Sequence, residues 1–354
     1  MKILLVRLRQ IGDVVFTTPT LAALANRFPG VELTYLVEPA AAPVVSGNPH
    51  GSRVLVVPRR PGLGGLLDDI RLGGELRRMQ FDIVLDFHGG PRASLLTWLS
   101  RAPRRVGYEI KGRAWMYTDR VARARELRAR HSVENQWDLL TAIGVEPPSR
   151  ERYPAEMVVD AGVAASVRQR LVTHGVSADD AVVIMHVSAG NPFRRWPLES
   201  FADVAATLAQ ASPRVRVIIT SGPSEAGAAQ QVIDNARARL PEHRRGAVLE
   251  CGEFSLVELR ALTDLAALYI GGDSGPMHIA STSRVPMVSL YGPTLPARSE
   301  PWRASADAAA VEVHGLTCRP CEQRVCVPGD FRCLTGITPA QVIDAATRLL
   351  HVTG

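Results

Sequence analysis

The chain has 354 residues, 46% hydrophobic and 21% charged, with a net charge of +6. That length exceeds one ordinary core and suits two domains of roughly 150 to 180 residues each. No apolar stretch approaches the ~20 residues of a membrane-spanning helix. The run Ile3 to Val6 is cut short by Arg7, Arg9 and Asp13, so no signal peptide is expected and the expected location is cytoplasmic.

Short β-rich runs alternate with helix-length segments, the pattern of parallel sheets covered by helices. In the first half strands are predicted at 2–7, 31–37, 53–58, 82–87 and 105–108, with helices at 18–28, 65–80, 92–101 and 132–143. A proline- and charge-rich break at 144–154 follows, "GVEPPSRERYP". The second half repeats the alternation, with strands at 181–187, 215–221, 247–251, 267–271 and 286–291. Its helices are predicted at 161–174, 197–211, 224–239, 255–263 and 275–283, and a terminal one at 338–351. Two doubly wound halves are the economical reading: domains at 1–155 and 156–336, with a C-terminal helix in 337–354. Ligands of such sheets sit at the carboxyl ends of the strands.

Lysine stands only at positions 2 and 111, so the positive charge is carried by arginine. It clusters in the first half, at 59–60, 101–113 and 120–131. Such clusters suit nucleic acid, an anionic membrane surface or an acidic substrate. Aromatic residues make up 5% of the chain, and no recognised nucleic-acid module is present. No nucleic-acid partner is therefore expected, and an anionic substrate or membrane surface is favoured.

Three loops of the second half suit a nucleotide diphosphate. In "GGDSGPMHIAS", from Gly271, the glycines let the backbone approach a ligand. Ser274 and Pro276 sit at a helix start whose amides, including that of Gly275, can face phosphate, and His278 stands one turn on. Asp273, ill-placed beside a diphosphate, suits a sugar hydroxyl or backbone amides; an ordinary capped turn would use the same residues. In "SAGNPFRRWPLESF", from Ser188, Arg194 and Arg195 are guanidinium donors suited to a diphosphate. In "TSGPSEAG", from Thr220, Glu225 can accept from ribose hydroxyls or simply complement the dipole of its helix.

The first loop, "RLRQIGDVVFTTP" from Arg7, differs. It follows the first strand yet has a single glycine and then Asp13. A glycine-rich dinucleotide cradle is absent, which disfavours a Rossmann dehydrogenase. Asp13 suits either a helix-stabilising acid or a general base.

With these segments in their order and spacing, together with "FDIVLDFHGGPRASLLTWLSRAPRRVGY" and "LYGPT", the chain resembles glycosyltransferase family 9, the heptosyltransferases of lipopolysaccharide core assembly. The resemblance implies the α/β GT-B fold: two facing Rossmann-like domains with parallel sheets, acceptor on the first and nucleotide sugar on the second. It also implies inversion, no catalytic metal or other cofactor, an ADP-sugar donor and an anionic lipid-linked saccharide acceptor. Asp13 takes the place of the general base, and Asp273, Ser274, Gly275 and His278 match the family's donor loop. Arg194 stands where these enzymes often carry lysine. Arg7, Arg9, Arg92 and Arg113 are expected at acceptor carboxylates or phosphates, with His88 after a strand of the same domain. The alternatives are another nucleotide sugar on the same fold, an epimerase, or a non-catalytic binding protein.

Cys318, Cys321, Cys326 and Cys333 form a C-x2-C-x4-C-x6-C pattern. In a cytoplasmic protein, four thiols this close suit a structural zinc, with reduced thiols or a disulfide pair as the alternative.

Overall fold

The computed structural model describes residues 1–51, 53–123, 130–304 and 307–350. Residues 124–129 of the basic cluster at 120–131, and the end of the expected terminal helix at 351, lie outside the described residues. The chain forms two compact units, Met1–Val158 with Trp302–Ala304, and Val159–Pro301 with Ser305–Gly354.

The first unit carries strands β1 (Lys2–Val6), β2 (Glu32–Val37), β3 (Arg53–Val56), β4 (Ile83–Asp86), β5 (Arg104–Tyr108) and β6 (Asp119–Val121). They form a parallel sheet in the order β3-β2-β1-β4-β5-β6. Its helices are α1 (Ile11–Val15), α2 (Thr18–Arg27), α3 (Ala42–Val45), α4 (Gly62–Arg78), α5 (Pro91–Leu99) and α6 (Ser132–Thr141). Ile3 to Val6 are all buried, as a strand covered on both faces requires. Leu4, Val6, Leu36, Val84, Leu76 and Leu96 share one core cluster that joins the sheet to α4 and α5. Those two helices pack closely because residue 73 is glycine: a Cβ there would lie 2.6 Å from the Leu99 side chain. A capping box starts α6, with the His131 side chain accepting from the Val133 amide and Glu134 accepting from the His131 amide.

The second unit repeats the design. Strands β7 (Ala181–His186), β8 (Val215–Thr220), β9 (Val248–Leu249), β10 (Leu268–Gly272), β11 (Met287–Tyr291) and β12 (Ala308–Glu312) run parallel in the order β12-β11-β10-β7-β8-β9. The helices are α7 (Ala161–Thr173), α8 (Leu198–Ala211), α9 (Ala226–Ala238), α10 (Leu256–Leu265), α11 (Gly275–Ala280), α12 (Pro296–Ser299), α13 (Arg332–Thr335) and α14 (Pro339–Leu349). One core cluster lies on each face of the sheet. Counted within its own unit, each sheet has the order 3-2-1-4-5-6 of a Rossmann fold. The order reverses between β1 and β4 in the first unit and between β7 and β10 in the second.

Several boundaries differ from the sequence expectation. The edge strands β6 and β12 were not foreseen, since "DRV" and "AAAVE" lack a strong β pattern. Helix α11 stops at Ala280 rather than 283, where the hydroxyls of Ser281, Thr282 and Ser283 each donate to the carbonyl three residues back. The expected second domain ran unbroken from 156, but Trp302 packs with the first unit. Its Nε1 donates to the Tyr153 carbonyl at 2.9 Å, and its ring lies 4.7 Å from that of His131. The terminal helix is no separate part either, because Val342, Ala345 and Ala346 of α14 enter the core of the second unit.

Candidate functional site

In the first unit, the loops after β1 and β4 meet at the switch point. Asp13 lies in the first turn of α1 with its side chain 37% exposed. Its partner is Arg7, whose guanidinium pairs with the Asp13 carboxylate and donates to the Phe87 carbonyl at 2.5 Å. Arg7, expected at the acceptor, is buried, ties the two loops together and holds Asp13. Arg9 is exposed. Burial, then the charges of Arg7 and Arg9, push His88 down to about 4, leaving a neutral imidazole at neutral pH.

Asp86 sets this arrangement and was not singled out from sequence. Wholly buried at the end of β4, it accepts from the amides of His88 and Gly89 at 2.9 and 2.8 Å and from the Tyr117 hydroxyl at 2.7 Å. Burial raises its pKa, and these hydrogen bonds offset part of the rise. The only sequence signal was an acid ending an apolar strand before His-Gly-Gly.

Arg92, expected at the acceptor, is engaged within the protein. Its guanidinium is consumed by Asp69 at 2.9 Å, Glu38 at 3.1 Å and the Pro58 carbonyl at 3.0 Å, so it braces the ends of β2 and β3 against α4 and α5. Arg113 donates to the Gly89 carbonyl at 3.1 Å, while its Nε is buried without a hydrogen-bond partner. It lines a cavity of about 500 Å³ with Lys111, Trp115 and Arg123.

In the second unit, the loops after β7, β8 and β10 carry the expected donor residues. Residues 271 and 272 must be small: a Cβ at Gly271 would lie 2.8 Å from the Tyr269 hydroxyl oxygen, and one at Gly272 would lie 3.1 Å from the Arg194 carbonyl. Asp273 follows, 3% exposed. Its carboxylate accepts from Thr294 at 2.5 Å and Ser299 at 3.0 Å, and lies 3.3 Å from both His278 Nε2 and an Arg194 nitrogen. Burial alone would raise this carboxyl, but the hydrogen bond and charge of His278, with Arg194 and Thr294, hold it well below the usual carboxylate range. Asp273 is thus spent inside the protein, positioning Arg194 and His278, rather than free for a sugar hydroxyl.

Ser274 occupies the N-cap position of α11 but makes no capping bond, and its Oγ is buried without a hydrogen-bond partner. Pro276 lies in the first turn of the helix that Gly275 opens. Arg194 also donates to the Asp273 carbonyl and to the Gln323 side chain, both at 2.8 Å. Arg195 pairs with Glu225 at 2.7 Å, joining the loops after β7 and β8. A second link between those loops escaped the sequence reading. Buried His186 bonds to Thr220 at 3.0 Å and to Ser188 at 2.9 Å, and the Ser188 hydroxyl accepts from the Gly222 amide at 2.8 Å. Burial pushes His186 down to about 4, so it is neutral at neutral pH.

Cys318, Cys321, Cys326 and Cys333 are free and half-buried. Among the described residues no three His, Cys, Asp or Glu side chains gather as a metal ligand set. Close spacing placed the thiols on one segment, but other contacts pin that segment: the Cys321 amide donates to the Pro293 carbonyl at 3.2 Å, and Gln323 bonds Arg194 and Asn191.

Two Rossmann-order sheets, each with polar and charged side chains at its switch point, give the two-domain α/β architecture found in GT-B proteins. The family model for glycosyltransferase family 9 (heptosyltransferase) matches residues 70–330. The chain is 24% identical over 308 residues to lipopolysaccharide heptosyltransferase 3 of Escherichia coli K12, covering 83% of each chain. A glycosyl transferase family 9 structure from Veillonella parvula superposes with a TM-score of 0.85 at 25% identity, covering 99% of this chain and 97% of that one. The ADP-heptose lipopolysaccharide heptosyltransferase II of E. coli shares the fold, with a TM-score of 0.77 at 20% identity and coverage of 99% and 98%. The chain belongs to glycosyltransferase family 9 and is an enzyme of the heptosyltransferase type.

Proposed function

We propose that the enzyme moves a heptose from an ADP-sugar to an anionic, lipid-linked saccharide of the lipopolysaccharide core, with inversion, at the cytoplasmic face of the inner membrane. The names of its relatives support the substrates: one is a lipopolysaccharide heptosyltransferase and another an ADP-heptose lipopolysaccharide heptosyltransferase. The observation that carries the donor assignment is the loop after β10. Asp273 there fixes Arg194 and His278 while the Ser274 hydroxyl has no partner within the protein. In this reading Arg194, Arg195, Ser274 and the first amides of α11 meet the diphosphate, so its charge is balanced without a metal ion. Glu225, held by Arg195, receives the ribose.

On the first unit the half-exposed Asp13, steadied by Arg7, takes the proton from the acceptor hydroxyl. The freed oxygen bonds to the anomeric carbon as the bond from that carbon to the diphosphate oxygen breaks. The electron pair leaves with ADP, and backside attack inverts the centre. Arg9, Arg113 and His88 bind the acceptor in this reading. A structural zinc on the four thiols would be separate from transfer and would require them to draw together; elemental analysis of protein purified without a histidine tag, seeking about one zinc per chain, decides that point.

The test is a thermal-shift panel with ADP, UDP, GDP, CDP and NAD, because selective binding raises the melting temperature by mass action. ADP alone is expected to stabilise, and transfer from ADP-heptose to a core saccharide should follow. Stabilisation by UDP or GDP instead would overturn the donor.

A further inference from the structure

Helix α4 buries Gly65, Gly73 and Leu76 along one face. On a 3.6-residue period the opposite face should be polar. Instead it carries Leu63, Leu66, Leu67 and Ile70 at 81%, 46%, 55% and 49% exposure, four large aliphatic side chains within the first nine residues of the helix. Arg71, Arg77 and Arg78, all exposed, follow along the helix, and Arg59 and Arg60 precede it. Residues 53 to 78 hold six arginines against three carboxylates. One of those carboxylates, Asp69, is already neutralised by Arg92 from another helix. Asp68 lies 3.4 Å from Arg60 and 3.5 Å from Arg71, which still leaves arginine in excess, so the surface is an apolar patch bordered on both sides by net positive charge.

An exposed patch of this kind marks a contact, and its chemistry selects the partner. A basic rim around aliphatic side chains complements an anionic lipid surface, where the arginines meet headgroups and the leucines reach the acyl boundary. A second copy of the chain would bring the same positive rim against itself, which the charge disfavours. We infer that the exposed face of α4, from Leu63 to Ile70 with its flanking arginines, docks the enzyme on an anionic lipid bilayer. The inference rests on the proposed reading in one respect: a lipid-linked acceptor lies at such a surface.

The experiment is flotation of the full-length protein with vesicles of phosphatidylcholine alone or mixed equally with phosphatidylglycerol. The comparison is a variant carrying Leu63→Ser, Leu67→Ser and Ile70→Ser, all solvent-facing, so its melting temperature should match wild type. Wild type is expected to float with the anionic vesicles only, less so as salt rises, and the variant to bind them about tenfold more weakly or less. Its transfer to a deacylated, water-soluble acceptor should be unchanged, while transfer to vesicle-embedded acceptor falls. Equal flotation of the two proteins, or none by wild type, overturns the inference. So does sedimentation showing a wild-type dimer that the variant loses, because the patch then joins two copies. Flotation as expected with no transfer to either acceptor would leave the docking surface standing and remove the functional reading instead.

Discussion

Asp273→Asn tests whether the donor loop is organised by a buried charge. The carboxylate is 3% exposed and meets Thr294, Ser299, His278 and Arg194 at 2.5 to 3.3 Å. An amide nitrogen there presents a donor to groups that are themselves donors and removes the negative charge that Arg194 and His278 share. Breaking such a pair from one side costs about 3 kcal/mol. For a unit of this size that is a fall in melting temperature of roughly 6 to 12 °C. The pH dependence has a definite sign. The folded-state pKa is depressed, so the stabilisation is fully present above the unfolded value near 4 and is lost as pH falls through the lower folded value. Thermal melts of both proteins across pH should therefore run apart at neutral pH and converge only below about pH 4. Melts within about 2 °C of each other at pH 7, or convergence beginning above pH 6, would refute the reasoning.

Asp13→Asn should lower kcat by ~10²-fold or more in a transfer assay while ADP affinity, read by titration, changes little; near-normal turnover would remove Asp13 from the chemistry. Arg92→Ala, which cuts contacts to Glu38, Asp69 and Pro58, should destabilise by about 2 kcal/mol in denaturant melts and leave the acceptor KM unchanged. A raised acceptor KM at unchanged stability would return Arg92 to the acceptor. Gln323→Ala frees the Arg194 side chain from one of its anchors; the donor KM should rise about threefold to tenfold with kcat nearly kept, and a loss confined to kcat would contradict a positioning role.

The strands and helices were legible because burial writes a period into the chain. Runs such as Ile3 to Val6 and Val182 to Met185 are apolar on successive residues, as strands covered on both faces must be. Glycines at 271, 272 and 275 and the acid at 13 marked the loops that carry chemistry, since close approach and ionisation demand particular residue types. The edge strands β6 and β12 left little trace because an edge buries only part of its surface and tolerates charge and alanine.

What a charged side chain does once folded was decided by the tertiary structure. Arg7, Arg9, Arg92 and Arg113 look alike in the sequence, yet Arg7 braces Asp13, Arg92 is spent on Glu38 and Asp69, Arg113 reaches the Gly89 carbonyl and Arg9 is exposed. The sequence leaves Asp273 open to a sugar; in the fold Thr294 and Ser299, 21 and 26 residues on, close around it together with His278 of the adjoining helix. Sequence determined which residues could be inside and where the loops lie, because hydrophobicity and backbone freedom are local properties. Pairing between charges is not: it depends on distances of a few ångströms between segments that only the completed sheets bring together.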